Sequence, residues 1–120
     1  MIDLEHLARQ TAGDLSLQHE LLTLFQTQLD ELRDCVTAAT QRPHVTLEAT
    51  LHRVRGAAVA IGAFGLAEAL GRAEAICDQE ALSPLQSATL VAVIEATRTE
   101  TTGLIAASAP QRLAKAGESR

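Results

Sequence analysis

Apolar residues recur every three or four positions through a long segment in the first half of the chain. That interval matches a helical turn of about 3.6 residues, so one side of such a helix is apolar along its whole length. The repeating positions are Leu21, Phe25, Leu29, Leu32, Val36 and Ala39. Between sparse glycines and prolines the chain is rich in alanine and leucine, and the alternating Val, Ile and Thr pattern of strands is scarce. The pattern predicts an all-α protein.

Residues that cap or break helices divide the chain into five predicted helices. They run from the cap Asp3 to about Thr11, from Leu15 or Ser16 to Thr40, from Pro43 or His44 to Ile61, from Gly65 to Asp78, and from the Ser83-Pro84 start to about Ala107. Four long amphipathic helices with short connections predict an antiparallel up-and-down four-helix bundle, with the short N-terminal helix as an addition. We expect the bundle to comprise residues 1–107. Pro110 is expected to stop the last helix and leave a disordered tail over 108–120.

Charge and composition restrict the partners of the chain. With 10 basic and 15 acidic residues, the net charge is −5, which disfavours nucleic acid and anionic membranes. Only two aromatic residues are present, too few for a platform that stacks bases. No apolar run has the length of a membrane span, and no signal peptide is evident. We therefore expect a cytoplasmic monomer whose two thiols, Cys35 and Cys77, pack in the core.

One of the four histidines has unusual neighbours. His52 follows the apolar position Leu51 and is therefore turned by about 100° out of the core stripe of the third helix. Gly56 lies one turn further on, where a glycine costs about 1 kcal/mol relative to alanine. Close approach of another backbone to the helix surface beside His52 would explain the glycine. Arg55 shares the face and adds a positive charge.

Apolar residues flank His52, and the histidines lack the spacing of metal ligands. Val45 and Val59 lie seven residues to either side of His52 and give the face an apolar border. No two histidines stand three or four residues apart, so the sequence contains no metal-binding motif, and neither a metal nor a cofactor is expected in this chain. An exposed nucleophile, a bare patch, a cation and an apolar border suit the docking of a partner that brings its own catalytic groups.

These residues resemble the signature of histidine-containing phosphotransfer (HPt) domains, and the resemblance extends over about residues 2–105. The matching positions are His52, Val54, Gly56, Ala57, Ala58 and Gly62. The sequence departs from the family pattern at Arg55, where lysine is usual; the charge is retained, but a planar guanidinium is not equivalent to an ammonium group. Ile2-Asp3-Leu4 and the second helix also resemble the opening of the family, and Leu66 and Glu74 fit its fourth segment.

The resemblance implies a phosphorelay intermediate. His52 would accept a phosphoryl group from an aspartyl phosphate on a receiver domain and pass it to another receiver, with Arg55 neutralising phosphoryl charge and Gly56 admitting the partner. The implied partners are response-regulator receivers, which carry Mg²⁺, and a histidine kinase, hybrid or otherwise. The chain itself has no glycine-rich nucleotide loop, so we do not expect a kinase. The resemblance implies a phosphotransfer intermediate rather than an enzyme that turns over a small substrate.

The helical hairpin that follows His52 brings another residue to its level. The turn centres near Ala63-Phe64, so the residue opposite His52 is expected near Glu74 or Ala75. A carboxylate there would accept a hydrogen bond from one imidazole nitrogen, fix the tautomer and leave the other nitrogen free. Arg53 and Arg72 are expected to extend a basic patch that steers the acidic pocket of a receiver towards the site.

Two other interpretations fit parts of the sequence. An HPt-like adaptor would bind and inhibit a receiver or a histidine kinase without carrying phosphate, although it would not need the nucleophile. A plain structural bundle, or a metal-binding one, would leave Gly56 unexplained.

Overall fold

Helices account for the regular structure of the described residues. The computed structural model describes residues 1–38 and 45–118, with side chains over 1–38 and 47–107. Within those ranges it contains five helices and no strand. They are α1 (Leu4–Gln10), α2 (Leu15–Ala38), α3 (Val45–Ile61), α4 (Phe64–Cys77) and α5 (Pro84–Glu118). The predicted all-α class is confirmed, whereas the predicted break at 41–43 and the core position Ala39 lie outside the described residues.

Side-chain caps explain where α1, α2 and α5 begin. The Asp3 carboxylate accepts a hydrogen bond from the backbone N–H of His6 at 3.0 Å and starts α1. At α5, Ser83 and Gln86 form a reciprocal capping box: the Ser83 hydroxyl accepts from the Gln86 N–H at 3.1 Å, and the Gln86 amide oxygen accepts from the Ser83 N–H at 2.8 Å. Both starts agree with the predicted ones. Asp14, which accepts from the Leu17 N–H at 3.0 Å, is a further cap at the start of α2.

The apolar stripes meet in one core. Every predicted stripe residue of α3 is buried, namely Leu47, Leu51, Val54, Ala58 and Ile61. In α2 the prediction fails at its first position, because Leu22 is buried and Leu21 is only partly buried. The four following stripe residues, Phe25, Leu29, Leu32 and Val36, are buried as predicted. Helix α3 packs against α4, α2 and α1, while α5 packs against α2 and α4.

Helix α5 has buried threonines on its core side and a charged network on the surface that it shares with α2. The hydroxyls of Thr97 and Thr101 donate to carbonyls one turn earlier in their own helix, which satisfies them inside the core. On the surface between α2 and α5, Arg33 contacts Glu95 at 2.9 Å and Arg98 contacts Asp30 at 2.5 Å. The hydrogen bond that Arg33 donates to the Glu95 carboxylate raises the pKa of Arg33. These ion pairs lie between α2 and α5, which carry none of the predicted site residues.

The last helix is longer than its sequence predicts. It continues past the expected end at Ala107 and through Pro110 to Glu118. Proline removes one backbone donor but is compatible with helical φ, and the alanine-rich sequence around it has high helix propensity. The predicted helix end is therefore wrong, while the assignment of residues 1–107 as a separate domain stays a prediction. None of the helices over residues 1–38 and 45–118 combines the length and the apolar character that a membrane crossing requires.

A left-handed glycine connects α3 to α4. Gly62 has φ of +95°, and its carbonyl accepts a hydrogen bond from the Asp3 N–H at 2.9 Å. A Cβ added at Gly62 would lie 2.8 Å from the Asp3 carbonyl oxygen. Only glycine therefore satisfies both the turn and the docking of the N-terminal segment.

We predict that Gly62→Ala lowers the free energy of unfolding by about 1 to 3 kcal/mol, because alanine is strained at positive φ and its methyl group would contact Asp3. Urea denaturation followed by circular dichroism measures the change. The matched control is Gly103→Ala in α5, where an added Cβ meets nothing within 4 Å and alanine should stabilise the helix by up to about 1 kcal/mol. Equal effects of the two substitutions would contradict this account of Gly62.

Candidate functional site

His52 lies in the middle of α3 with its ring exposed. Its side chain has 78% of its surface accessible, whereas the preceding residue, Leu51, is fully buried. Consecutive side chains on a helix diverge by about 100°, so the burial of Leu51 directs the imidazole to the flank of α3. The structure thus agrees with the predicted place of His52 outside the core.

Glu74 of α4 meets this ring across the hairpin. The His52 Nδ1 and the Glu74 Oε2 are 3.1 Å apart, and Glu74 is mostly buried, with 21% of its side chain accessible. A carboxylate accepts hydrogen bonds, so Nδ1 donates in this contact. In the neutral ring the proton is then on Nδ1, and the lone pair is on Nε2. The predicted level of Glu74 opposite His52 agrees with this contact.

Arg55 holds the other oxygen of the same carboxylate. Its Nη1 lies 3.4 Å from Glu74 Oε1, and its side chain is 48% accessible. The two oxygens of Glu74 are therefore divided between the imidazole and the guanidinium. The positive charge of Arg55 lies beside the ring, one helical turn along α3.

Gly56 leaves a bare surface beside His52. It lies within α3 and is exposed, and an added Cβ would meet nothing within 4 Å. No described neighbour in this chain therefore requires glycine at this position. The close approach of a partner to Gly56 stays a prediction.

The remaining predicted residues are dispersed around α3 and α4. Arg53 reaches α2, where its Nη2 lies 2.6 Å from Glu31 Oε1, so it faces the helix on the other side of α3 from Glu74. Arg72 lines a different groove, between α4 and α5. Val59 is 46% accessible on α3, and Val45 begins α3 but its side chain lies outside the described residues. Arg53 and Arg72 thus do not form one basic patch around His52.

A concave groove of about 600 Å³ adjoins His52 between α3 and α4. Its lining residues are Glu48, Ala49, His52, Arg55, Gly71, Glu74, Ala75 and Asp78. Glu48, Gly71 and Asp78 were not among the predicted site residues. Helical spacing offers a signal for two of them, because Glu48 lies four residues before His52 and Asp78 four residues after Glu74.

The described residues that line the groove include neither a cluster of metal ligands nor a cysteine thiol. Among the described residues, no group of three or more His, Cys, Asp and Glu side chains is arranged to hold a metal ion. Cys77 is buried, and burial raises the pKa of its thiol, with Glu48 and Glu74 adding to the effect. A thiol with a raised pKa is a poor nucleophile, which agrees with its predicted role in packing. Cys35 is partly buried, with its Sγ 3.8 Å from the Thr50 hydroxyl.

The site provides a nucleophilic imidazole with two charged groups beside it, a carboxylate and a guanidinium. Nε2 is available on an exposed ring, Nδ1 is bound to a carboxylate, and a guanidinium lies alongside. The groove beside the ring is open to solvent. Comparison of the chain with models of protein families, with curated proteins and with solved structures found no match.

We predict that Glu74 sets the tautomer of His52. In the neutral ring of the wild-type protein, ¹⁵N spectra should show the Nδ1–H form predominating, and Glu74→Ala should remove this preference because Nδ1 loses its acceptor. Glu74→Gln serves as the conservative control, since an amide oxygen still accepts a hydrogen bond and should retain part of the preference. A ring that is mainly Nε2–H in the wild-type protein would overturn the assignment.

Proposed function

We propose that this chain is a histidine phosphotransfer protein of a two-component phosphorelay. The observation that carries the proposal is the contact between His52 Nδ1 and the mostly buried Glu74, on a ring that is otherwise exposed. With Nδ1 bound to Glu74, the Nε2 lone pair of this exposed ring is available. The HPt-like run from Leu51 to Gly62, which contains His52, supports the same assignment.

The proposed architecture is an antiparallel up-and-down four-helix bundle formed by α2 to α5, with α1 as the short addition. The pairwise packing of α2, α3, α4 and α5 is in accord with it. Hydrogen bonds from the Ile2 N–H to the Glu100 carboxylate and from the Asp3 N–H to Gly62 hold the N-terminal segment on these helices. A cytoplasmic, monomeric protein is part of the proposal, because its partners are soluble signalling domains.

The proposed reaction is a reversible phosphoryl transfer. His52 Nε2 attacks the phosphorus of a receiver's aspartyl phosphate, a P–N bond forms, and the acyl phosphate P–O bond breaks. The electron pair of that bond leaves on the aspartate carboxylate. The imidazole keeps its Nδ1 proton and becomes positively charged, and Glu74 Oε2 at 3.1 Å stabilises the charge. Attack by the aspartate of a second receiver reverses these steps and restores the neutral ring.

The groups around His52 suit the electrostatics of this transfer. Negative charge on the phosphoryl oxygens needs neutralisation as the group moves between nucleophiles. Arg55 supplies positive charge from this chain, and the Mg²⁺ expected on the receiver would supply more there. The protein therefore needs to position an imidazole and admit a partner, rather than enclose a substrate.

The proposed docking surface lies on the exposed side of α3. Gly56 has no side chain there, and Val59 adds an exposed apolar group. The receiver's loops could then approach the helix backbone closely enough for an in-line attack. Any steering by Arg53 and Arg72 would act from the flanks of this surface, because the two arginines lie beside α2 and beside the α4–α5 groove.

The decisive experiment uses a Mg²⁺-loaded receiver whose aspartate carries labelled phosphate. We predict that the wild-type chain acquires an acid-labile and alkali-stable label, as phosphohistidine does, and that His52→Gln does not. His19→Gln on α2 is the matched control and should be labelled like the wild type. Binding of receivers without any label would instead support the inhibitory adaptor, and neither binding nor label would support a structural bundle.

Gly56→Ala should separate stability from function. We predict a gain of up to about 1 kcal/mol in the free energy of unfolding, because alanine favours the helix and meets no neighbour. Phosphoryl transfer from a receiver should nevertheless slow by about 10-fold or more, because the methyl group holds the partner away from Nε2. Gly103→Ala should stabilise α5 similarly and leave transfer unchanged. Transfer by Gly56→Ala at the wild-type rate would contradict the proposed docking surface.

A further inference from the structure

Gly71 of α4 lies against the guanidinium of Arg55. A Cβ added at Gly71 would be 3.5 Å from Arg55 Nε, 3.6 Å from Cζ and 3.9 Å from Nη1. Three consecutive atoms of the guanidinium therefore lie along the side of α4 that lacks a side chain. These distances place the guanidinium of an α3 residue next to Gly71 of α4, which no sequence pattern singled out.

The position of the guanidinium determines what it reaches. Gly71 precedes Glu74 by three residues, so both lie on the same face of α4. From its place on Gly71, Arg55 extends Nη1 to 3.4 Å from Glu74 Oε1. Glu74 Oε2 in turn lies 3.1 Å from His52 Nδ1. Contacts thus link Arg55 to Glu74 and Glu74 to His52 across the α3–α4 groove, and Gly71 leaves the space beside the guanidinium open.

Contacts within α3 alone would not hold the Arg55 side chain in this position. Its side chain has several rotatable bonds and is 48% accessible, so solvent offers many other conformations. The bare helix surface at Gly71 provides room for the flat guanidinium against α4. A branched side chain at position 71 would fill the space that the guanidinium occupies, because even the first atom of such a side chain is already in van der Waals contact with it.

We infer that Gly71 is a positioning residue of the site. By leaving room for the Arg55 guanidinium, it holds Arg55 on Glu74 Oε1, and this second contact keeps the Glu74 carboxylate directed at His52 Nδ1. Loss of the arrangement frees the carboxylate to rotate and weakens the preference for the Nδ1–H ring. The inference rests on the proposed function for its effect on phosphoryl transfer, but its effect on the ring tautomer concerns this chain alone.

The test compares side chains of different size at position 71. Gly71→Leu should displace the guanidinium, shift the neutral His52 ring towards the Nε2–H form in ¹⁵N spectra, and slow transfer from a phosphorylated receiver by about 10-fold. Gly71→Ala should retain the wild-type tautomer, because its Cβ makes only ordinary contact with Arg55. Gly103→Leu, the same change at an exposed helical glycine of α5, should leave both measurements unchanged. Thermal unfolding of each variant verifies that the fold is retained.

A double-mutant cycle determines whether Gly71 acts through Arg55. Arg55→Ala should shift the tautomer by itself, and adding Gly71→Leu to it should cause no further shift, because the group displaced is already absent. A wild-type tautomer in Gly71→Leu, or an undiminished effect of Gly71→Leu in the Arg55→Ala background, would overturn the inference. The expected tautomer shifts without phosphoryl transfer in the wild-type chain would uphold the positioning role and refute the proposed function.

Discussion

The left-handed turn at Gly62 controls the geometry on which the site depends. The turn reverses the chain between α3 and α4 within a few residues, and the Gly62 carbonyl accepts a hydrogen bond from the Asp3 N–H. A turn of fixed length sets the register of the two helices, and the register places His52 opposite Glu74. The same hydrogen bond attaches the N-terminal segment to the end of α3. A conformational requirement at one glycine thereby determines which side chains meet about three helical turns away.

The two sides of the molecule carry different kinds of charge interaction. Between α2 and α5, Arg33 and Arg98 are bonded to Glu95 and Asp30, and these bonds raise the pKa of both arginines. These four side chains include no exposed imidazole or thiol, and their contacts hold the two helices together. Between α3 and α4, Glu74 binds an arginine and an imidazole in a groove that is open to solvent. The chemistry proposed here needs that openness, because the second reactant arrives on another protein.

The core of α3 and the level of Glu74 were predictable because both follow from regular helix geometry. A repeat of three and four residues identifies the buried side of a helix, and equal distances from a turn identify opposite residues in a hairpin. The failures have equally specific causes. Leu21 and Leu22 are both apolar, so the pattern alone could not choose between them. Pro110 ended the predicted helix near Ala107, yet one proline removes only one donor, and α5 continues to Glu118.

The arginine side chains show the difference between what the sequence determines and what the tertiary structure determines. By itself the sequence determined the all-helical class, most of the buried faces, the exposure of His52 and its level with Glu74, since these depend on short-range spacing. Tertiary structure decided that Arg53 turns to Glu31 on α2 and that Arg55 lies on Gly71 and reaches Glu74. An arginine side chain has many rotamers of similar energy, and only the surface of a neighbouring helix selects among them. The spacing along one helix contains no information about that surface.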